Sequence, residues 1–106
     1  PDWSGGTRIG QSLRAFNRDF RSAVNGRTTL LLLSDGLDTG DLELLADEMA
    51  VLRRRAGRLI WLNPLAGGQS RPLARGLHAA LPHVDVLAPA NNLRSLEALA
   101  TELILR

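Results

Sequence analysis

The chain has 106 residues, the size of one modest domain. Apolar residues make up 44% of it and aromatic residues only 4%, and the predominance of leucine and alanine suits helices packed on a sheet. The absence of cysteine excludes a disulfide framework, a thiolate metal site and a cysteine nucleophile. No apolar run approaches the roughly 18 residues of a membrane span and nothing resembles a signal peptide, so we expect a soluble, cytoplasmic protein.

The charge of the chain is nearly balanced although its pI is about 10.9. The 13 basic residues stand against 11 acidic ones, which leaves a net charge of +2. All the basic residues are arginine, and lysine, tyrosine and cysteine are absent, so nothing titrates between histidine at about 6.5 and arginine at about 12. The high pI therefore does not indicate a strongly basic surface, and we expect no nucleic-acid partner.

Helices and strands alternate along the chain, with no internal repeat. Apolar residues recur every three or four positions in the predicted helices, and continuous apolar runs mark strands covered on both faces. The predicted elements are helix 8–24, strand 28–33, helix 41–55, strand 59–62, a short helix 70–81, strand 84–87, and a last helix that begins after Asn92.

This alternation predicts a three-layer, Rossmann-like α/β fold with a parallel sheet and helices on both faces. The third strand is short and interrupted by Asp85, which indicates a sheet edge. The first strand is the most apolar, as is typical of a central strand, yet the chain offers it only one obvious neighbour. We therefore expect a further strand from upstream of Pro1 or from another chain. The simplest such arrangement is a homodimer that pairs strand 28–33 with its copy about a two-fold axis.

Two segments place oxygen-bearing side chains where open parallel sheets bind ligands, beyond the carboxyl ends of the strands. They are Ser4-Gly5-Gly6-Thr7 before the first helix and Ser34-Asp35-Gly36 after the first strand. Hydroxyl and carboxylate oxygens suit Mg²⁺, Mn²⁺ or Ca²⁺, and the paired glycines let the backbone approach a ligand closely. The alternative interpretation is structural: Thr7 is the N-cap of the helix, and Asp35 is a turn residue supported by Gly36.

The remaining polar clusters are weaker candidates. Residues 53–55 are all arginine and would suit phosphate, but a basic last turn of a helix explains them better. His78 and His83 do not have the spacing of a helical metal pair, and no carboxylate is placed to orient either one as a base. Trp61 lies in a predicted buried strand and belongs in the core.

We interpret three further acidic residues as structural charges: Asp38 in a loop, Asp41 at a helix start and Asp85 on the edge strand.

These segments in this order resemble the C-terminal half of a von Willebrand factor A domain, and most closely the bacterial CoxE-like group. The resemblance covers essentially all 106 residues, which implies one partial domain over residues 1–106. It is carried by the residues Trp3–Gly10, Leu31–Gly36, Met49–Ala56, Leu59–Pro64, Pro72–Gly76 and Asn92–Glu97.

The resemblance implies a metal-ion-dependent adhesion site, in which Thr7 matches the family's threonine and Asp35 matches its last aspartate. Ser4, Gly5, Gly6, Ser34 and Gly36 would form the supporting loops. The family's Asp-x-Ser-x-Ser turn has no counterpart, because Asp2-Trp3-Ser4 follows no strand. The implied site is therefore incomplete, and we expect Mg²⁺, Mn²⁺ or Ca²⁺ to bind weakly or not at all.

The resemblance also implies a non-enzymatic protein-interaction domain with no membrane contact. In the CoxE-like group the implied role is the maturation of a metalloenzyme such as carbon monoxide dehydrogenase, alongside a MoxR-type AAA+ ATPase whose acidic residue docks at the metal. The alternative is a small Rossmann-like enzyme domain that binds a phosphate or nucleotide. There Gly5-Gly6-Thr7 would hold the anion at a helix N-terminus, and Asp35 would hold Mg²⁺ or act as a base.

Overall fold

Helices and strands alternate throughout the computed structural model, which describes residues 8–38, 40–64, 74–89 and 93–104. The elements are α1 (Ile9–Asp19), β1 (Thr29–Leu33), α2 (Leu42–Arg55), β2 (Arg58–Asn63), α3 (Arg75–Ala80), β3 (Val86–Pro89) and α4 (Leu93–Ile104). Short 3-10 turns follow α1 and α3, at Arg21–Ala23 and Leu81–His83. Within the described ranges, no helix is both long enough and apolar enough to cross a membrane.

The three strands form one parallel sheet in the order β1-β2-β3. In the register of this sheet, Ile60 of β2 lies between Leu31 of β1 and Val86 of β3. The edge position predicted for the third strand is confirmed. Among the strands that the structure describes, β2 is the central strand and β1 pairs only with β2.

Side chains from β2 enter two apolar clusters, one on each face of the sheet. On one face Leu59 and Trp61 pack with α1, α2 and α3, together with Leu30 and Leu32 of β1. On the other face Ile60 and Leu62 pack with Leu99 of α4. Helices therefore cover both faces, and the predicted Rossmann-like α/β fold is confirmed.

The first helix ends earlier than the apolar spacing predicts. The α-helix stops at Asp19, and polar side chains compete for the backbone beyond the 3-10 turn. The Asn25 carboxamide oxygen accepts from the Arg27 N–H at 2.8 Å, and the Thr28 hydroxyl accepts from the Asn25 N–H at 3.0 Å. These local bonds hold the chain in a turn before β1. Since the α-helix has already ended at Asp19, the predicted extension to residue 24 is wrong.

The third strand begins later than predicted, at Val86. The Asp85 N–H still donates to the Leu59 carbonyl of β2 at 2.9 Å, but the Leu59 N–H donates to the Asp85 side chain instead of to a backbone carbonyl. One carboxylate oxygen of Asp85 accepts from the Leu59 N–H at 2.7 Å, and the other pairs with the Arg53 guanidinium at 3.1 Å. This carboxylate joins the start of β2 to the end of α2. The predicted start of the short helix, residues 70–73, lies outside the described residues.

The packing of α1 on α2 gives a direct test of the core. Leu45 of α2 is fully buried, and its backbone lies where a Cβ on Gly10 of α1 would be only 2.8 Å away. Leu45→Ala should lower the free energy of unfolding by about 2–5 kcal/mol, because the substitution leaves a cavity at this contact. Asp47→Ala, at an exposed position of the same helix, should change it by less than about 0.5 kcal/mol. Urea unfolding of both variants measures the difference, and equal losses would contradict the observed packing.

Candidate functional site

The loop after β1 holds Asp35 through short local hydrogen bonds. The Ser34 N–H donates to the Leu62 carbonyl at 3.0 Å, which extends the sheet pairing by one residue beyond β1. The Ser34 hydroxyl then accepts from the Gly36 N–H at 3.0 Å, and Asp35 Oδ1 accepts from the Leu37 N–H at 2.9 Å. Asp35 is therefore a turn residue, as the structural interpretation predicted, and its carboxylate is fixed at the carboxyl end of β1.

Gly36 is the point of closest approach between this loop and α3. Its φ of +81° is one that side-chain-bearing residues rarely adopt, and a Cβ there would lie 2.6 Å from the Leu77 Cβ. The Gly76 N–H donates to the Gly36 carbonyl at 2.9 Å. A glycine is thus required on both conformational and steric grounds, and this contact determines how the chain leaves Asp35.

Trp61 anchors the base of the loop from inside the sheet. The side chain is fully buried in β2, and its indole N–H donates to the Ser34 carbonyl at 2.7 Å. The predicted core position of Trp61 is confirmed. Its polar atom has a specific partner at the point where β1 ends, so the same residue fills the core and positions the loop.

Asp38 connects the loop to the first helix. Its side chain is buried, Oδ2 accepts from the Ile9 N–H at 3.2 Å, and Oδ1 accepts from the Gly40 N–H at 2.5 Å. The N-cap residue of α1 is Arg8, which makes no capping bond with its side chain. Asp38 therefore provides a carboxylate acceptor for the first turn of α1, where backbone donors are otherwise unpaired.

Sequence reasoning assigned Asp38 only to a loop charge and missed this contact. The partner lies 29 residues away, so no local pattern reveals it. One signal was available: arginine at the helix start cannot accept a hydrogen bond, and a helix that begins there needs an acceptor from elsewhere.

Of the two predicted metal ligands, Asp35 lies in the described part of the chain. It is partly exposed, and apart from Oδ1 its carboxylate accepts no hydrogen bond from the described residues. The predicted Thr7 ligand and its supporting residues Ser4, Gly5 and Gly6 lie outside the described part of the chain. The predicted meeting of Thr7 with Asp35 therefore stays a prediction.

The oxygen donors that the described residues offer at this edge are few. Asp35 and the Ser34 hydroxyl are hard oxygen donors, whereas both Asp38 oxygens already accept backbone N–H groups. Within the described ranges, no group of three or more histidine, cysteine, aspartate or glutamate side chains is placed to hold a metal ion. A divalent cation at Asp35 would keep most of its water ligands, which Mg²⁺ does readily.

Exposed leucines surround Asp35 along the chain. Leu33 is 67% exposed and Leu37 is 59% exposed, and Leu31 on the same face of β1 as Leu33 is 50% exposed. Exposed large apolar side chains on both sides of a polar residue in the sequence offer area for contact with another protein. The carboxyl end of β1 therefore combines a charged oxygen ligand with apolar contact area.

Asp41 lies at the start of a helix, as predicted. The Asp41 carboxylate caps α2 by accepting from the Glu43 N–H at 2.9 Å and the Leu44 N–H at 3.2 Å. His78 is exposed on α3, and His83 is partly exposed in the following 3-10 turn. Neither histidine forms part of a metal-binding group among the described residues.

Comparison with protein families finds a match to most of the chain. The model of the family described as VWA domain containing CoxE-like protein matches residues 1–96, which is most of the chain. Comparison with curated proteins and with solved structures finds no match.

The backbone of the loop at Gly36 can be tested against that of another glycine. Gly36→Ala should lower the free energy of unfolding by about 1–3 kcal/mol, because the residue has a positive φ and contacts Leu77. Gly26 has a negative φ and no atom within 4 Å of an added Cβ, so Gly26→Ala should be neutral or stabilise by up to about 1 kcal/mol. Thermal and urea unfolding measure both, and a Gly36→Ala variant as stable as Gly26→Ala would contradict the observed loop.

Proposed function

Since the chain belongs to the family of CoxE-like proteins that contain a VWA domain, we propose that it is a non-enzymatic interaction domain in the maturation of a metalloenzyme. The family supports a protein-interaction or accessory role. The observation that carries the proposal is the Asp35 carboxylate at the carboxyl end of β1, next in sequence to exposed leucines. That position suits contact with a protein surface better than enclosure of a small substrate.

In this proposal Asp35 and Thr7 hold a divalent cation, Mg²⁺ or alternatively Mn²⁺ or Ca²⁺, with water completing its coordination. When bound, the cation supplies positive charge and an open position for a carboxylate of the partner. The residues of this chain keep the Asp35 carboxylate in place for that contact, through the Leu37 N–H and through the Trp61 bond to the Ser34 carbonyl. With so few protein ligands, the affinity for the cation alone is low.

The partner we propose is a MoxR-type AAA+ ATPase or the metalloenzyme that is matured, and the compartment is the cytoplasm. The exposed side chain of Leu37, which follows Asp35 in the turn, would add apolar contact to the docked carboxylate. Affinity then comes from the protein contact as a whole, and the cation chiefly determines which carboxylate is accepted.

Asp35→Asn tests this proposal with little change to the loop, because the asparagine side-chain oxygen can still accept from the Leu37 N–H. The substitution should weaken binding of the MoxR-type AAA+ ATPase about tenfold in the presence of Mg²⁺, the scale of one charge-assisted contact. The matched control is Asp47→Asn, which removes an exposed carboxylate from α2 and should leave binding unchanged. Surface plasmon resonance with and without EDTA measures both effects.

Two results would count against the proposal. Binding that neither EDTA nor Asp35→Asn affects would remove the cation and Asp35 from the interface. ATP or another nucleotide binding to the purified protein in the micromolar range would favour the phosphate-binding enzyme domain, in which Asp35 acts on a bound nucleotide instead.

We also propose that the free edge of β1 pairs with the same strand of a second copy. Among the described strands β1 has β2 as its only neighbour, and the side chains of Leu31 and Leu33 are exposed beside its free edge. An unpaired edge with apolar neighbours favours strand addition, and a two-fold axis would bring the same residues of both copies together.

Light scattering tests the dimer. The protein should have twice the 11.5 kDa mass of one chain, and Leu31→Lys with Leu33→Lys should convert it to monomer, because like charges across paired strands repel. Leu87→Lys on β3, also at an exposed position, is the control and should leave the mass unchanged. A monomer that persists at high protein concentration would exclude this assembly.

A further inference from the structure

A groove of about 480 Å³ lies between α1 and α2. The helices are closest near Gly10, where a Cβ would lie 2.8 Å from the Leu45 nitrogen. The residues that line the groove come from the C-terminal halves of both helices and from the 3-10 turn after α1. Asn17 joins the two helices at the groove, because its carboxamide donates to the Glu48 carboxylate at 2.8 Å and to the Glu48 carbonyl at 3.2 Å.

The groove and the loop that contains Asp35 lie at different ends of α1 and α2. The N-terminus of α1 is joined to the loop after β1 by the bond from Ile9 to Asp38. The C-terminal turn of α2 is joined to the amino end of β2, because Arg53 pairs with Asp85, which also accepts from the Leu59 N–H. The two surfaces therefore lie towards opposite ends of the strands.

Arginine dominates the lining of the groove. Arg14, Arg18 and Arg21 line it from the first helix and its 3-10 turn, Arg55 lines it from α2, and Glu48 is the acidic residue among them. Within the described ranges, Arg14 and Arg21 make no ion pair and Glu48 makes none either. The groove therefore presents positive charge that the described residues do not neutralise.

Two of the groove arginines make contacts that orient them. Arg55 donates to the Asn17 carbonyl at 3.5 Å. Arg18 pairs with Asp19 at 2.9 Å on the exposed surface, and this hydrogen bond holds the pKa of Asp19 below its usual range. Because both members of this pair are mostly exposed, water screens the attraction and Arg18 remains available to a ligand.

The arrangement of the cations distinguishes between anionic ligands. Arg14 and Arg18 lie one turn apart on the same side of α1, and Arg21 follows in the 3-10 turn beyond the end of that helix, so the three line the groove one after another. Cations spread along a line match successive carboxylates of a peptide, whereas a single phosphate needs donors that converge on one point.

The other lining residues argue against a nucleic acid. The Glu48 carboxylate inside the groove would repel a continuous phosphate backbone, and Val51 adds an apolar contact that a peptide side chain can use. The net charge of +2 for the whole chain also lacks the broad positive field of nucleic-acid-binding proteins.

We propose that the groove between α1 and α2 is a second docking surface, and that it binds an acidic segment of a partner protein. Carboxylates of that segment pair with Arg14, Arg18 and Arg21 along one wall and with Arg55 on the other. This contact needs neither a cation nor Asp35, so it goes beyond the function proposed above and stands or fails separately from it.

The experiment uses the purified protein and fluorescein-labelled hexaglutamate as the probe, followed by fluorescence anisotropy in low-salt buffer with EDTA present. The probe should bind, and the double variant Arg14→Glu with Arg21→Glu should weaken binding about tenfold or more, since two attractive contacts become repulsive.

The control is the double variant Arg27→Glu with Arg54→Glu, which makes the same change in net charge at exposed positions outside the groove. The control should weaken binding less than about threefold. Circular dichroism checks that both variants remain folded, and Asp35→Asn should have no effect.

Three outcomes would overturn the proposal. Absence of binding would show that the groove is a solvated surface, and equal losses in the two double variants would show attraction by net charge alone. Displacement of the probe by inorganic phosphate or polyuridylate at concentrations below those needed for unlabelled hexaglutamate would assign the groove to phosphate groups.

Discussion

The burial of Trp61 in the central strand is the interaction on which both the core and the site depend. The side chain is fully enclosed among residues of α1, α2 and α3, and a tryptophan contributes more apolar area than any other side chain in this cluster. Its indole N–H would be costly to bury without an acceptor, and the Ser34 carbonyl provides one. Packing of the core thus determines where β1 ends and where the turn that carries Asp35 begins.

The loop after that anchor is held by contacts with two helices that are distant in sequence. Gly36 contacts α3 at Leu77, and Asp38 accepts from the first backbone N–H of α1. Asp35 lies between these two contacts with its carboxylate partly exposed. A loop held by such contacts suits binding in which the geometry is prepared before the partner arrives, which lowers the entropic cost of binding.

Two surfaces with opposite electrostatic preferences result from the way the helices cross the sheet. The carboxyl end of β1 presents a carboxylate beside exposed leucines, and it requires a cation to attract an acidic partner. The groove between α1 and α2 presents arginines directly and attracts acidic groups without a cation. A partner with acidic segments at a suitable separation would contact both surfaces, and such linkage raises the overall affinity above that of either contact.

Local patterns in the sequence were sufficient for the order of elements, the parallel α/β fold, the cap at Asp41, the edge position of β3 and the burial of Trp61. These features depend on periodicity and on interactions between neighbouring residues, which a single sequence contains. The end of α1 and the start of β3 were misplaced, because apolar spacing reveals neither the 3-10 turn that follows Asp19 nor the bond from the Leu59 N–H to the Asp85 side chain.

Of the candidate site, the sequence predicted the turn at Asp35, and the role of Asp35 as a ligand stays a prediction. Only the tertiary structure assigned Asp38 to the start of α1, Asp85 to the start of β2 and Asn17 to the wall of the arginine groove. The partners of these side chains lie 26 to 31 residues away. Contacts over such separations depend on how the helices pack on the sheet, and for that reason no local pattern could have predicted them.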